Sequence, residues 1–506
     1  MRDKYIELIK EYIKEKPEYK STLNEIKADV LTVGATEEEF DEAIRQITGA
    51  KVSKLILKES EAQVAQSSRM AALSVYSETI AKLANHAKFH IVAKKKYFVA
   101  AALVVILLVV AFGFGKRESP KIAATTAPPS IKIPISSEGT IPLVYANIKT
   151  VDPNKIFSIK AKNVQLTVTG KAKKEVLGFF PYWMLPKEDE VNLATLTSVS
   201  LFGLEVDGNG NIVTAGPNDQ ASGGWVMWKD SKLDDFIKRA KASDIKVYLT
   251  LKCFDSSNIE SVATSDNAQK ALIANALYLV NSKDLDGINI DFEYVGVPTD
   301  AVRDGFTRFI TNLNAELKRQ IPNAVLTIDT YLVSGSEKDI FNIPLLAKNS
   351  DAFVIMGYDM HTPLGGPGPV SAMGGVTNIV GYVQNYLEQV DAGKLILAVP
   401  YYGYDWPQDT ASPSADLVKI LPYAEIADQN QNLQLSWDDT SQTPYFTYKD
   451  DGGQSRIVHF DNVRSLGIKY DFINRKNLKG VGIWALGYDG QNQDLEKLLI
   501  DKFINQ

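Results

Sequence analysis

From residue 176 to the C-terminus, short apolar runs alternate with longer segments whose apolar residues recur at helical spacing. The runs are 176–182, 198–204, 246–254, 287–293, 324–332, 352–358, 395–401 and 480–486. Each has the length of a buried strand. Amphipathic stretches fall between most of them, among them 232–242, 267–280, 304–320 and 376–390. Eight strands with crossover helices over about 330 residues predict an α/β fold, a (β/α)8 TIM barrel. A doubly wound open sheet is the alternative, but no Gly-rich dinucleotide or phosphate loop follows the first run. Between the seventh and eighth runs, residues 403–461 carry more β-like runs, at 433–437, 444–448 and 455–460. They read as a small β-rich insertion walling one side of a cleft.

The chain before the barrel divides by composition. Residues 1–96 read as a polar helical region, with Tyr5, Leu8, Ile9 and Tyr12 forming an apolar stripe and Thr36 to Glu39 a capping box. The stripe is the core of a small bundle or, alternatively, a surface for a cytoplasmic protein partner. Residues 97–115 carry no charge and are long enough to cross a bilayer as one helix. Lys94, Lys95 and Lys96 precede them, which favours a cytoplasmic N-terminus and an extracytoplasmic barrel at a cell membrane. Lys116 and Arg117 on the far side pull against that orientation. Residues 116–142 are rich in Pro, Ser and Thr and read as a linker, and 143–174 as a short β-like stalk. The last domain is 175–506.

Chemistry concentrates in the fourth run, Asp286-Gly287-Ile288-Asn289-Ile290-Asp291-Phe292-Glu293. As a strand it places Ile288, Ile290 and Phe292 on one face and Asn289, Asp291 and Glu293 on the other. Neighbours in that column lie roughly 6–7 Å apart. Crowded carboxylates push each other's pKa apart, and one of them stays protonated near neutral pH, as a general acid must. A half-exposed strand with a solvated polar face is the alternative reading of the same alternation. Aromatic residues gather at other predicted strand ends: Phe179 to Trp183, Tyr358, Tyr401 to Tyr404, and Trp484. Such a rim suits a sugar, whose apolar ring faces stack on aromatic rings; singly, each aromatic is equally a core residue.

These residues resemble glycoside hydrolase family 18, the chitinase-like hydrolases. The fourth run resembles its Asp-x-x-Asp-x-Asp-x-Glu signature, with Asn289 where most members have Asp. Gly287 to Glu293 looks like the bacterial spore-germination and cortex-lytic N-acetylglucosaminidase branch. Gly365 to Val370, Arg456 to Asp461, and Ser465 with Lys469 look like that branch too. Met356-Gly357-Tyr358-Asp359 resembles the family's Met-x-Tyr-Asp stretch. The resemblance implies Glu293, Asp291 and Tyr358 as catalytic, with Asn289, Asp286 and Asp359 in support. It also implies Trp484, Met356, Phe180, Tyr182 and Tyr401 as the sugar-binding surface. Asn289 is expected to hydrogen-bond Asp291 without sharing a proton, shifting the pH optimum. The implied reaction is substrate-assisted hydrolysis, with retention, of β-1,4 bonds next to N-acetylglucosamine in peptidoglycan or chitin. A non-catalytic protein that binds such polysaccharides on the same barrel is the alternative; the presence of both Asp291 and Glu293 favours the enzyme.

Composition narrows the field. The formal charge of −6 over 506 residues argues against nucleic acid as a partner. Cys253 is the only cysteine, so no intrachain disulfide exists. The four histidines have no metal-ligand spacing, and neither a metal nor another cofactor is expected.

Overall fold

The computed structural model describes residues 150–505, apart from 161–165, 169, 217–219, 336–338, 364, 409–417 and 432. The helical region, the apolar run 97–115 and the linker lie outside the described residues. Among the described residues no helix is long and apolar enough to cross a membrane.

Eight parallel strands close into a barrel. They are β1 (Glu175–Pro181), β2 (Ser198–Glu205), β3 (Lys246–Cys253), β4 (Gly287–Phe292), β5 (Val325–Tyr331), β6 (Ala352–Met356), β7 (Leu395–Pro400) and, last in the chain, β13 (Gly480–Trp484). Each pairs with the next, and β13 closes the ring between β7 and β1. All eight predicted runs are strands of this ring; the open sheet is excluded by its closure. Gly287 is needed where β4 begins, because a Cβ there would lie 2.2 Å from the Val325 carbonyl oxygen on β5.

Alternation along the strands builds two cores. Leu177, Phe179, Tyr248, Ala352, Val354, Ile396 and Ala398 form one cluster. Strands as far apart in the ring as β3 and β7 meet in this way only across the lumen. The other parity faces the helices. Phe292 of β4 stacks on Phe309 of the helix Asp300–Gln320, with centroids 6.0 Å apart. That helix starts at Thr299, whose hydroxyl accepts the Val302 N–H, and it buries Val302, Phe306, Phe309, Ile310, Leu313 and Leu317 along one stripe. Each of these side chains contributes about 1.5–3 kcal/mol on burial.

The insertion between the seventh and eighth barrel strands is a five-stranded antiparallel sheet. Its strands are β8 (Tyr402–Pro407), β9 (Lys419–Pro422), β10 (Ser436–Asp438), β11 (Thr443–Lys449) and β12 (Ser455–Phe460), in spatial order β10-β11-β12-β8-β9. Leu421, Ile426, Phe446, Val458 and Phe460 form its own core. Two buried ion pairs brace it. Arg456 Nε donates to Asp405 Oδ1 at 2.9 Å, and Tyr448 donates to Asp405 Oδ2 at 2.7 Å. Lys469 Nζ, on the helix Val463–Arg475, donates to Asp461 Oδ1 at 2.5 Å with both side chains fully buried.

The segment 143–174 is described in part, and half of its alternating run 164–169 lies outside the described residues. Its described residues hold a six-residue helix, Pro153–Ser158, begun by the Asp152 carboxylate on the Asn154 N–H, and no strand. Asp152-Pro153 is a helix start, with proline at the first turn.

Candidate active site

Asn289, Asp291 and Glu293 point into the barrel and are 0, 3 and 4% exposed. The Glu293 N–H donates to the Cys253 carbonyl at 2.9 Å, which extends the β3–β4 ladder one step past Phe292. Lys252 of β3 lies beside Asp291 in the register, and Asn289 lies between Thr250 and Thr327. One step beyond the last β4–β5 pair, Ile290 with Ile328, Asp291 comes level with Asp329.

Around Asn289 the polar groups are mutually satisfied. Thr327 Oγ1 donates to Asn289 Oδ1 at 2.6 Å, and Asn289 Nδ2 donates to Asp329 Oδ2 at 2.8 Å. The Thr250 hydroxyl, 2.6 Å from that of Ser200, lies 3.5 Å from Asn289 Nδ2. Asn289 therefore contacts Asp329 and not Asp291, contrary to the sequence expectation. Asp291 stands level with Asp329 instead, and the Oδ1 of each is buried with no donor among the described residues.

Burial dominates the electrostatics. It holds the Glu293 carboxyl well above the ordinary range, and the charges of Asp291, Asp329 and Asp359 push it further. Burial raises Asp291 too, but the Lys252 charge pulls it back. Asp329 is raised by burial and then by Asp291. Asp291, raised to about 7, is thus the most acidic of the three, and Glu293 is held toward its protonated form.

The other strand ends complete the rim. Asp359, in the left-handed region at φ 56, accepts from the Tyr404 hydroxyl at 2.9 Å and from the Tyr402 hydroxyl. Burial lifts its pKa to about 6 against those two donors. The Tyr358 phenol is raised by burial and then by Asp329, Asp291, Asp359 and Glu293, which places it among all four carboxyls. The Tyr331 phenol of β5 is raised by burial and then by the charges of Glu293 and Asp291. Trp484 is partly exposed at the end of β13, with ring centroids 4.6 Å from Phe202, 5.8 Å from Phe179 and 6.3 Å from Trp183. It is an indole floor braced on three sides.

Residues 175–489, more than half of the chain, match the model of the glycosyl hydrolases family 18. The chain belongs to that family. It is 29% identical over 221 residues to a cortical fragment-lytic enzyme of Bacillus subtilis, covering 43% of this chain and 49% of that protein. It is 26% identical over 266 residues to the human di-N-acetylchitobiase, covering 46% and 68%. The match therefore spans about half the length of the Bacillus relative. The spore cortex-lytic enzyme SleL of Bacillus megaterium superposes with a TM-score of 0.52 at 20% identity, over 68% of this chain and 76% of that one, a likeness of fold.

In this family 18 barrel, not every residue assigned from the sequence reaches the site. Asp286 sits at the opposite end of β4, where its Oδ2 accepts the Val247 N–H at 2.8 Å. It lies off the parity of the column and staples strand starts. Phe180 faces outward and stacks on Phe236, with centroids 4.0 Å apart, while Phe179 takes the inward position against Trp484. Tyr401 also faces outward, its hydroxyl 3.2 Å from that of Tyr470 on the helix Val463–Arg475. Tyr402 and Tyr404 reach Asp359 in its place. Met356 is buried on the inward parity of Ala352 and Val354, and Tyr182 is half-buried, with its ring edge-on to Trp183 at 4.8 Å. The sequence reading passed over Asp329, Lys252 and Tyr331, and took Tyr402 only as part of the aromatic rim. Thr327-x-Asp329-x-Tyr331 is the same polar alternation that singled out β4, one strand along.

Proposed function

We propose that the barrel is a retaining glycosidase that cleaves β-1,4 bonds next to N-acetylglucosamine in a bacterial wall polymer, with chitin-type oligosaccharides second. The observation that carries this reading is the buried Glu293, its carboxyl held up by burial and by Asp291 beside it, at strand ends that also carry Trp484. Glu293 Oε2 has no hydrogen-bond partner among the described residues and is available to the glycosidic oxygen. As Glu293 gives up its proton, the substrate's own 2-acetamido oxygen attacks the anomeric carbon and the glycosidic bond breaks. Asp291 orients the acetamide and stabilises its developing positive charge, and Tyr358 hydrogen-bonds it. Glu293, now a base, takes a proton from water as water opens the intermediate. Likeness to a cortical fragment-lytic enzyme supports a wall polymer, and likeness to a di-N-acetylchitobiase supports short chitin-type chains.

The charge-free run 97–115, with three lysines before it, supports a single-pass anchor that keeps the barrel outside the cell membrane. Membrane fractionation, with protease shaving of intact cells, is expected to release the barrel; a protected barrel overturns the orientation.

The activity test compares the full-length chain with Glu293→Gln on peptidoglycan fragments and chitooligosaccharides. New reducing ends are expected from the wild type, falling by about 10²–10⁴-fold in the variant. Binding of the oligosaccharides without new reducing ends from the wild type overturns the enzyme and leaves a recognition module.

A further inference from the structure

Two carboxyl groups hydrogen-bond each other only when one of them carries a proton, because ionised carboxylates are acceptors alone. Asp291 and Asp329 stand level on neighbouring strands inside the barrel, and the Oδ1 of each is buried with no donor among the described residues, so a proton held between them is the partner that both lack. The surroundings decide which of them holds the proton. Thr327 donates to Asn289 Oδ1 and so fixes the amide with its NH2 toward Asp329. Asp329 Oδ2 is thereby committed as an acceptor, and its Oδ1 has no other partner among the described residues; the same is true of Asp291 Oδ1. On the other flank, Lys252 brings an ammonium group to the Asp291 side through the β3–β4 register. Asp329 has no cation of its own there among the described residues.

We propose that Asp329 is the proton-holding partner of Asp291: a positioning residue on β5 that supplies, from the neighbouring strand, the shared proton that Asn289 cannot. Its hydroxyl donates to the ionised Asp291 and fixes the carboxylate in one rotamer. The proton stays between the two carboxyls through the reaction, since Glu293 provides the one that leaves with the sugar. The titratable groups around the pair are Lys252 on β3, Glu293 after β4, Tyr331 on β5, and Tyr358 and Asp359 after β6. The kinetic consequence rests on the glycosidase reading, whereas the proton itself is a property of the folded barrel.

The test uses the full-length chain, its Asp329→Asn and Asp329→Ala variants, and two readouts. In infrared difference spectra at neutral pH, wild type minus Asp329→Asn is expected to contain the carbonyl stretch of a protonated carboxyl. A carboxylate band in its place overturns the proposal, whether or not the protein cleaves anything. In pH–rate profiles, Asp329→Ala is expected to move the acid limb of kcat up by about one pH unit, a tenfold loss below it, with KM unchanged. The sign follows from Asp291, which must be ionised and loses its donor. Asp329→Asn keeps a donor and is expected to leave the limb in place. A limb unmoved in Asp329→Ala overturns the assignment. If the wild type hydrolyses no sugar but the protonated band is present, the glycosidase reading fails and the proton assignment stands. If Asp329→Ala does not fold, the infrared comparison with Asp329→Asn decides alone.

Discussion

The barrel mouth and the inserted sheet both bury charge, and they do so in opposite ways. In the insertion each buried carboxylate has its own cation: Asp405 has Arg456, and Asp461 has Lys469. At the mouth, Asp291, Glu293, Asp329 and Asp359 crowd together, and Lys252, itself 3.3 Å from Glu205, is the ammonium that acts on Asp291 and Glu293. A one-to-one pair satisfies its charges and fixes a fold. A crowd with one cation leaves protons to be distributed, so carboxyls of the same chemistry acquire different ionisation states. The first arrangement holds a surface in place; the second stores a proton for use.

The comparison breaks most visibly at Lys469. Lys469→Met leaves Asp461 buried and unpaired, and about 3–5 kcal/mol of stability is expected to go, read as a fall in the denaturant midpoint. Adding Asp461→Leu is expected to restore most of it, because the pair's worth lies in mutual satisfaction. A second substitution that recovers nothing would refute that account. Removing the cation at the mouth has a different signature. Lys252→Met raises Asp291 and Glu293 together, since the ammonium lowers both. Asp291 must be ionised and Glu293 protonated, so both limbs of the pH–rate profile are expected to move up, by about one pH unit, with little change at the new optimum. A loss of rate at all pH values without displacement would make Lys252 a packing residue. The smallest effect is expected from Tyr402→Phe. Asp359 keeps the Tyr404 donor but loses the other, so its pKa rises further from about 6. A several-fold decrease in kcat, on the order of 1 kcal/mol, is expected. Double substitution with Asp359→Asn tests the route: effects that simply add would mean that Tyr402 acts elsewhere.

What could be read from the sequence follows the same physical lines. The barrel was legible because eight apolar runs, most of them separated by amphipathic stretches, admit few other folds. The β4 column was legible because Asn289, Asp291 and Glu293 alternate with Ile288, Ile290 and Phe292. Alternation stops informing where both faces carry the same residue type. Phe179-Phe180 and Tyr401-Tyr402 are adjacent aromatics, and the choice between them slipped by one residue each time. Asp329 was hidden for a different reason. Its meaning comes from standing level with Asp291, and that register is fixed by barrel closure across the helix Asp300–Gln320, not by spacing within either strand.

The pairing of Gly403 with Phe460 has a practical consequence. The inserted sheet leaves and rejoins the chain at adjoining points, so its 403–460 span is topologically a cassette. It is open to exchange for a shorter or differently shaped one without reopening the ring. What a donor cassette has to preserve at its leading edge is small: the hydroxyl of Tyr404, which with that of Tyr402 just before it ties the wall to Asp359.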